Sequence, residues 1–235
     1  MVIIPYINMS LLHSDMEKIL KEDITDTLTD FIHNQIVFWN TFEKDKSNNT
    51  PIKNVLELGV YRLIDEPNSK YPGQSTKTLF TLCDYYGVDK FISLDIDDCS
   101  STIANCVKWV EARKVTVKNH KFVQSNSIHF DIASEFPNGI DLIFLDTNHD
   151  DNYPERIGYE NAGGAGMTFK EISYYAPHIS KNGHMFIHDT KNIYVEEGLG
   201  KNTSGAIEKF IMENPEFGFF EHNTNAHGLG EIFRK

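Results

Sequence analysis

The chain has 235 residues, 40% of them apolar and 12% aromatic, and a formal charge of −12. This composition supplies a core for one large α/β domain, or for one domain with an N-terminal addition, and excludes intrinsic disorder. The acidity excludes a general binder of the nucleic-acid backbone, which needs a basic surface, but leaves room for a small phosphorylated or nucleotide-linked substrate.

The opening MVIIPYINMSLLHSD is apolar. It lacks a basic n-region and is too short to span a bilayer, so it reads as an ordered arm or contact surface rather than a membrane segment. Residues 15–42 carry Ile19, Leu20, Ile24, Leu28, Phe31, Ile32, Ile36 and Phe38 at roughly helical spacing. EKDKSNNTP (43–51) reads as a polar linker. Residues 1–50 are thus expected to form an N-terminal helical extension and linker, with a catalytic domain over 51–235. The extension offers a surface on which a second copy could pack as a homo-oligomer.

From residue 54 onward short apolar runs alternate with helical patterns. NVLELGV (54–60) is a first strand, and STKTLFTLCDYY (75–86) a helix with Leu79, Leu82, Cys83 and Tyr86 on one face. KFISLDI (90–96) is the second strand, STIANCVKWVEAR (101–113) a helix, KFVQS (121–125) the third strand and IDLIFLD (140–146) the fourth. TFKEISYYAPHI (168–179) is helical; Thr168 and Glu171 have capping-box spacing, with Met167 and Ile172 as the hydrophobic staple. GHMFIHD (183–189) is the fifth strand after an Asn182-Gly183 turn, SGAIEKFIMEN (204–214) a helix, and FGFFEHN with LGEIFRK a closing antiparallel hairpin. Strands alternating with helices predict an α/β fold with a doubly wound, mostly parallel sheet. Ligands of such sheets bind beyond the carboxyl ends of the strands, which here carry Glu57, Gly59, Asp95, Ser125 to Ser127, Asp146, His188 and Asp189.

The three cysteines, Cys83, Cys99 and Cys106, cannot all pair within the chain, and no CxxC zinc spacing occurs. They read as reduced, mostly buried thiols of a cytoplasmic protein.

No G-x-G-x-x-G follows the first strand. Instead LELGV is followed by an excursion over 61–72 and then by GQST, which opens the next helix. Gly59 permits a tight turn where a ligand approaches. Gly73 and Ser75 stand at a helix N-terminus, whose free N–H groups favour a carboxylate or phosphate. Asp95, ending the second strand, can accept both hydroxyls of a ribose.

The ordered set ELGV…GQST, SLDID, VQSNS and DLIFLD resembles the class I S-adenosylmethionine-dependent methyltransferases. Within them it is similar to the metal-dependent sugar and macrolide O-methyltransferase and cephalosporin-hydroxylase-like group, over roughly residues 54–190. The chain departs from that group in the length of the excursion between Gly59 and Gly73. The resemblance implies a Rossmann-like methyltransferase fold, with Glu57, Gly59, Gly73 and Ser75 around the methionyl end of S-adenosylmethionine, Asp95 on the ribose, and Asn126 or Ser127 near the adenine.

The fourth and fifth strands, joined by one helix, are expected to be parallel neighbours, so Asp146 and the pair His188-Asp189 should end side by side. Two carboxylates and an imidazole on one edge call for a compensating charge, and a divalent cation supplies it. Oxygen ligands suit Mg²⁺ or Mn²⁺, and an imidazole shifts the preference toward Mn²⁺ or Fe²⁺. The D-x-x-H spacing projects His149 beside such a metal. The resemblance gives Asp146 and Asp189 as ligands and His149 as general base; His188 replaces the first member of the family's acidic pair. The long polar connection over 150–167 reads as a lid or binding loop, with Tyr153, Arg156 and Tyr159 as acceptor contacts.

The expectation is therefore an S-adenosylmethionine-dependent, metal-assisted O-methyltransferase. Its acceptor would be a sugar hydroxyl, free or nucleotide-linked, in surface-polysaccharide or natural-product biosynthesis. Two alternatives remain at this stage: a non-haem iron oxygenase using His149, His188 and Asp189, and a non-catalytic nucleotide-binding module.

Overall fold

The computed structural model describes residues 29–60, 74–147, 164–190, 202–222 and 228–235. Seven strands form one sheet: β1 (Asn54–Leu58), β2 (Lys90–Asp95), β3 (His120–Gln124), β4 (Ile140–Leu145), β5 (Ile179–His188), β6 (Phe217–His222) and β7 (Leu229–Arg234). Their spatial order is β3-β2-β1-β4-β5-β7-β6. The first five are parallel, and β7 runs antiparallel to both β5 and β6. The helices are α1 (Thr29–Ser47), α2 (Gln74–Tyr86), α3 (Ser100–Glu111), the short α4 (Ile132–Glu135), α5 (Gly164–Tyr175) and α6 (Asn202–Glu213). The expected parallel sheet with a closing hairpin is therefore present.

Side chains alternate across the sheet as the pleat requires. Val55, Leu142, Phe144 and Phe186 enter one core with Phe38 and Phe42 of α1 and Leu79 and Leu82 of α2. Leu56, Leu58, Ile143, Leu145, Met185 and Ile187 enter the other, with Ile172 and Tyr175 of α5 and Ile207 and Phe210 of α6. Burial on both faces explains why β1 and β4 read as nearly continuous apolar runs. Cys83, Cys99 and Cys106 are all buried thiols outside any disulfide, and burial pushes the Cys106 thiol up to about 12.

Local structure departs from expectation in three places. Helix α1 runs through Ser47, into the stretch expected to be linker, and Asp45 within that stretch is buried rather than solvated. The His184 ring lies 3.2 Å from Asp45 and 2.6 Å from Glu231, and His222 donates to the other oxygen of Glu231 at 2.7 Å. Helix α5 starts at Gly164, so Thr168 is interior to it and forms no N-cap with Glu171. Strand β5 continues through Asn182 and Gly183, where the β4–β5 register shifts between Ile140 and Leu142. A Cβ on Gly183 would lie 2.7 Å from the Ile140 carbonyl, so only glycine admits that approach. Residues 1–28, which hold the opening apolar stretch and the first part of the helical pattern over 15–42, the 61–72 excursion and most of the 150–167 connection lie outside the described residues.

Candidate active site

The strand order reverses between β1 and β4, so their carboxyl ends flank the crevice in which ligands of open α/β sheets bind. Gly59 leaves β1 at φ +85°, and its N–H donates to Leu94 O at 2.9 Å. A Cβ there would fall 2.2 Å from the carbonyl oxygen of Asp146. A side chain is thus excluded twice over, by the left-handed backbone and by the closeness of β4. The Asp146 N–H donates in turn to Leu58 O at 2.8 Å, fixing the end of β4 to the end of β1.

Glu57 is fully buried just inside this edge. Its carboxylate accepts from Ser75 Oγ at 2.8 Å, Thr76 Oγ1 at 2.9 Å and Ser93 Oγ at 2.7 Å. Burial raises its pKa to about 7, the three hydroxyls oppose that rise, and the Asp146 charge adds to it. Ser93 Oγ also contacts His120 Nε2 at 3.1 Å, and burial lowers the pKa of that imidazole to about 4. A neutral His120 donating to Ser93, which donates to Glu57, satisfies the chain of groups. Glu57 therefore fastens the first turn of α2 to β1 and β2. Ser75 is committed to that bond.

Asp95 ends β2 with Oδ2 accepting from the Val60 N–H at 2.8 Å and Oδ1 from the Asp97 N–H at 2.9 Å. Its carboxylate is thereby held across the mouth between β1 and β2. Asn126 caps the 3-10 turn Ser127–His129, its Oδ1 accepting from the Ile128 N–H at 3.2 Å. Ser127 is buried and donates to Glu171 Oε1 at 2.6 Å, while Thr147 Oγ1 donates to Glu171 Oε2 at 2.8 Å. Glu171, read from sequence only as a capping residue, is instead a fully buried carboxylate joining the ends of β3 and β4. Ser93 and Thr76 were likewise missed. The available signal was a hydroxyl inside an apolar strand (KFISLD) and a second hydroxyl beside Ser75.

On the far side of Gly59, Asp146, His188 and Asp189 converge. His188 Nδ1 lies 3.1 Å from Asp146 Oδ1 and 3.3 Å from Asp189 Oδ1. Asp189 takes φ +59°, an unusual conformation for a residue with a Cβ, and its side chain is 57% exposed. One ligand atom from each of the three lies within 4.8 Å of the others. Two hard carboxylate oxygens with one imidazole nitrogen form a donor set that fits a divalent cation such as Mn²⁺, Mg²⁺ or Fe²⁺. Gly73, His149, Tyr153, Arg156 and Tyr159 lie outside the described residues.

No family model and no curated protein matches the chain. Solved structures do. An O-methyltransferase from Bacillus cereus, in complex with SAH, matches with a TM-score of 0.54 at 13% identity, over 97% of this chain and 94% of that one. The methyltransferase MycE of the mycinamycin biosynthetic pathway, in complex with Mg, SAH and mycinamycin VI, matches with a TM-score of 0.57 at 15% identity. That match covers 94% of this chain and 54% of MycE, so the chain spans about half of MycE's length. A protein from Corynebacterium glutamicum matches at 0.54 and 10% identity, over 96% and 92% of the two chains. The chain shares the Rossmann-like fold of these solved structures, two of which are methyltransferases.

Proposed function

We propose that the chain is an S-adenosylmethionine-dependent, divalent-metal-assisted O-methyltransferase acting on a sugar hydroxyl, free or nucleotide-linked. One observation carries the reading: in a methyltransferase fold, Asp146, His188 and Asp189 gather at the strand edge directly beside Gly59, with Asp95 at the adjacent strand end. The MycE neighbour, solved with Mg, SAH and mycinamycin VI, supports a metal beside the cofactor.

In this reading Asp95 accepts the ribose hydroxyls. Gly59 and the start of α2 leave room for the methionyl part, and Glu57 acts through that helix as a positioning residue. Asn126 and Ser127 border the adenine side. Asp146, His188 and Asp189 hold the cation. A divalent cation held there would lower the pKa of an acceptor hydroxyl. His149, placed by the D-x-x-H spacing, takes the hydroxyl proton. The acceptor oxygen attacks the sulfonium methyl; the new C–O bond forms as the S–C bond breaks, and S-adenosylhomocysteine leaves. Tyr153, Arg156 and Tyr159 contact the acceptor. The oxygenase reading fits less well, because the neighbouring strand end holds Asp95, a ribose-type carboxylate that such an oxygenase does not need.

Calorimetric titration with S-adenosylmethionine and S-adenosylhomocysteine, with and without Mn²⁺, tests the proposal. Cofactor binding together with EDTA-sensitive methylation of a sugar nucleotide is the expected result. Binding of neither cofactor sinks the methyltransferase reading. Asp146→Ala should abolish turnover while sparing cofactor affinity. Turnover that survives it would remove Asp146 from the metal site.

A further inference from the structure

Helix α1 carries two buried amides whose oxygens have no hydrogen-bond partner among the described residues. Asn34 is 4% exposed and Gln35 6%, and the unpaired atoms are Asn34 Oδ1 and Gln35 Oε1. Buried acceptors left unpaired are costly and few in native proteins, and one beside a ligand site is placed to take a hydrogen bond from a bound polar group.

Their position follows from how α1 lies on the sheet. Asp45, near the end of the helix, meets His184. Phe38, two turns earlier, packs edge-on against Phe144 at 5.0 Å and Phe186 at 5.3 Å between ring centres. The helix therefore runs opposite to the parallel strands. Residues 184, 186 and 188 share one face of β5 by the two-residue period of a strand. Asn34 stands one turn before Phe38 on the same helix face, so the series Asp45, Phe38, Asn34 climbs beside His184, Phe186 and His188. Asn34 is thereby brought to the level of the Asp146–His188–Asp189 group. Gln35 belongs instead to the stripe of Trp39 and Phe42, which faces Tyr86 of α2.

We propose that Asn34 is an acceptor-recognition residue: its amide oxygen accepts a hydrogen bond from a second hydroxyl of the acceptor, beside the hydroxyl that is methylated. This rests on the O-methyltransferase reading and deepens it. An amide oxygen in a buried site is satisfied only by an O–H or N–H donor, so the site selects a polyhydroxylated acceptor over one with a lone hydroxyl.

The test compares wild type with Asn34→Leu, which keeps the volume and removes the acceptor, and with Asn34→Ala as a second, smaller variant. Methyl transfer to UDP-glucose, UDP-galactose and dTDP-rhamnose is measured, alongside S-adenosylhomocysteine affinity and urea unfolding. On any of these sugars that wild type methylates, both variants should lose at least about tenfold in kcat/KM, chiefly through KM, as expected when a site built for a substrate hydroxyl loses its partner. Cofactor affinity should stay within about twofold, and the urea midpoint of Asn34→Leu should equal or exceed wild type, since an unpaired buried acceptor has been removed. Unchanged sugar kinetics in active variants would overturn the assignment of Asn34 alone. Lost cofactor affinity would transfer Asn34 to the cofactor half and overturn it as well. A wild type that methylates none of the three sugars would overturn the sugar reading, and this inference with it.

Discussion

Gly59 concentrates the most constraint in a single residue. A Cβ there needs both a left-handed backbone and the displacement of the Asp146 carbonyl 2.2 Å away. Gly59→Ala should cost about 2–4 kcal/mol in urea unfolding, from backbone strain plus a steric clash with main chain that cannot rotate aside. Titration at two other residues gives the same sign in two different pH windows. Glu57 has its folded pKa raised to about 7 by burial, so between its unfolded value and pH 7 the native state binds more protons than the unfolded state. Stability contributed by this group therefore falls as pH rises through that window. Glu57→Gln should flatten the slope of unfolding free energy against pH between about 4.5 and 7. His184 has the same sign at higher pH but a different cause: burial alone would lower its pKa, but hydrogen bonds to Asp45 and Glu231 outweigh burial and raise it to about 9. Its contribution is complete below about 6.5 and is lost as pH climbs toward 9. His184→Gln should lower stability at pH 6 and remove the alkaline decline; an alkaline limb that persists unchanged in the variant would refute the assignment.

At the scale of elements, α1 is held by aromatic packing and by polar contacts, among them the Asp45–His184 clamp. Phe38 is almost fully buried against Phe144 and Phe186. Phe38→Ala should destabilise the protein by about 3–5 kcal/mol, read as a lower urea midpoint with an unchanged slope. The strands were legible in the sequence because burial on both faces leaves unmistakable apolar runs, and the hairpin because two such runs close the chain. The end of α1 was not, because Asp45 looks like a solvated charge until the fold brings His184 beside it. The start of α5 was hidden by its glycines, Gly164 and Gly166, which propensity assigns to a loop. The Asn182-Gly183 pair mimics a turn, yet tertiary pairing with β4 keeps it in strand β5. In the candidate site, Asp146, His188 and Asp189 were legible as strand ends, and the structure groups them. Glu171 was not, since its partners Ser127 and Thr147 lie 44 and 24 residues away and only the sheet brings them together.

For the whole molecule, the site lies where two halves of one sheet meet, with β1, β2 and β3 on one side and β4, β5, β7 and β6 on the other. A ligand seated there contacts both halves and should stabilise them together. Saturation with S-adenosylhomocysteine at about 100 times its Kd should add about 2.7 kcal/mol and raise the thermal midpoint by roughly 5–10 °C, checked by calorimetric melting. The three cysteines extend this to kinetics. Cys83, Cys99 and Cys106 sit in or beside the helices that cover a single face of the sheet, all buried and none in a disulfide, and burial drives the thiols of Cys83 and Cys106 toward the unreactive protonated form. A thiol-reactive dye can reach them only when that face opens. The chain thus carries its own stopwatch: the rate at which the dye is consumed reports how often the helices lift from the sheet, and a bound ligand should slow it without any engineered label.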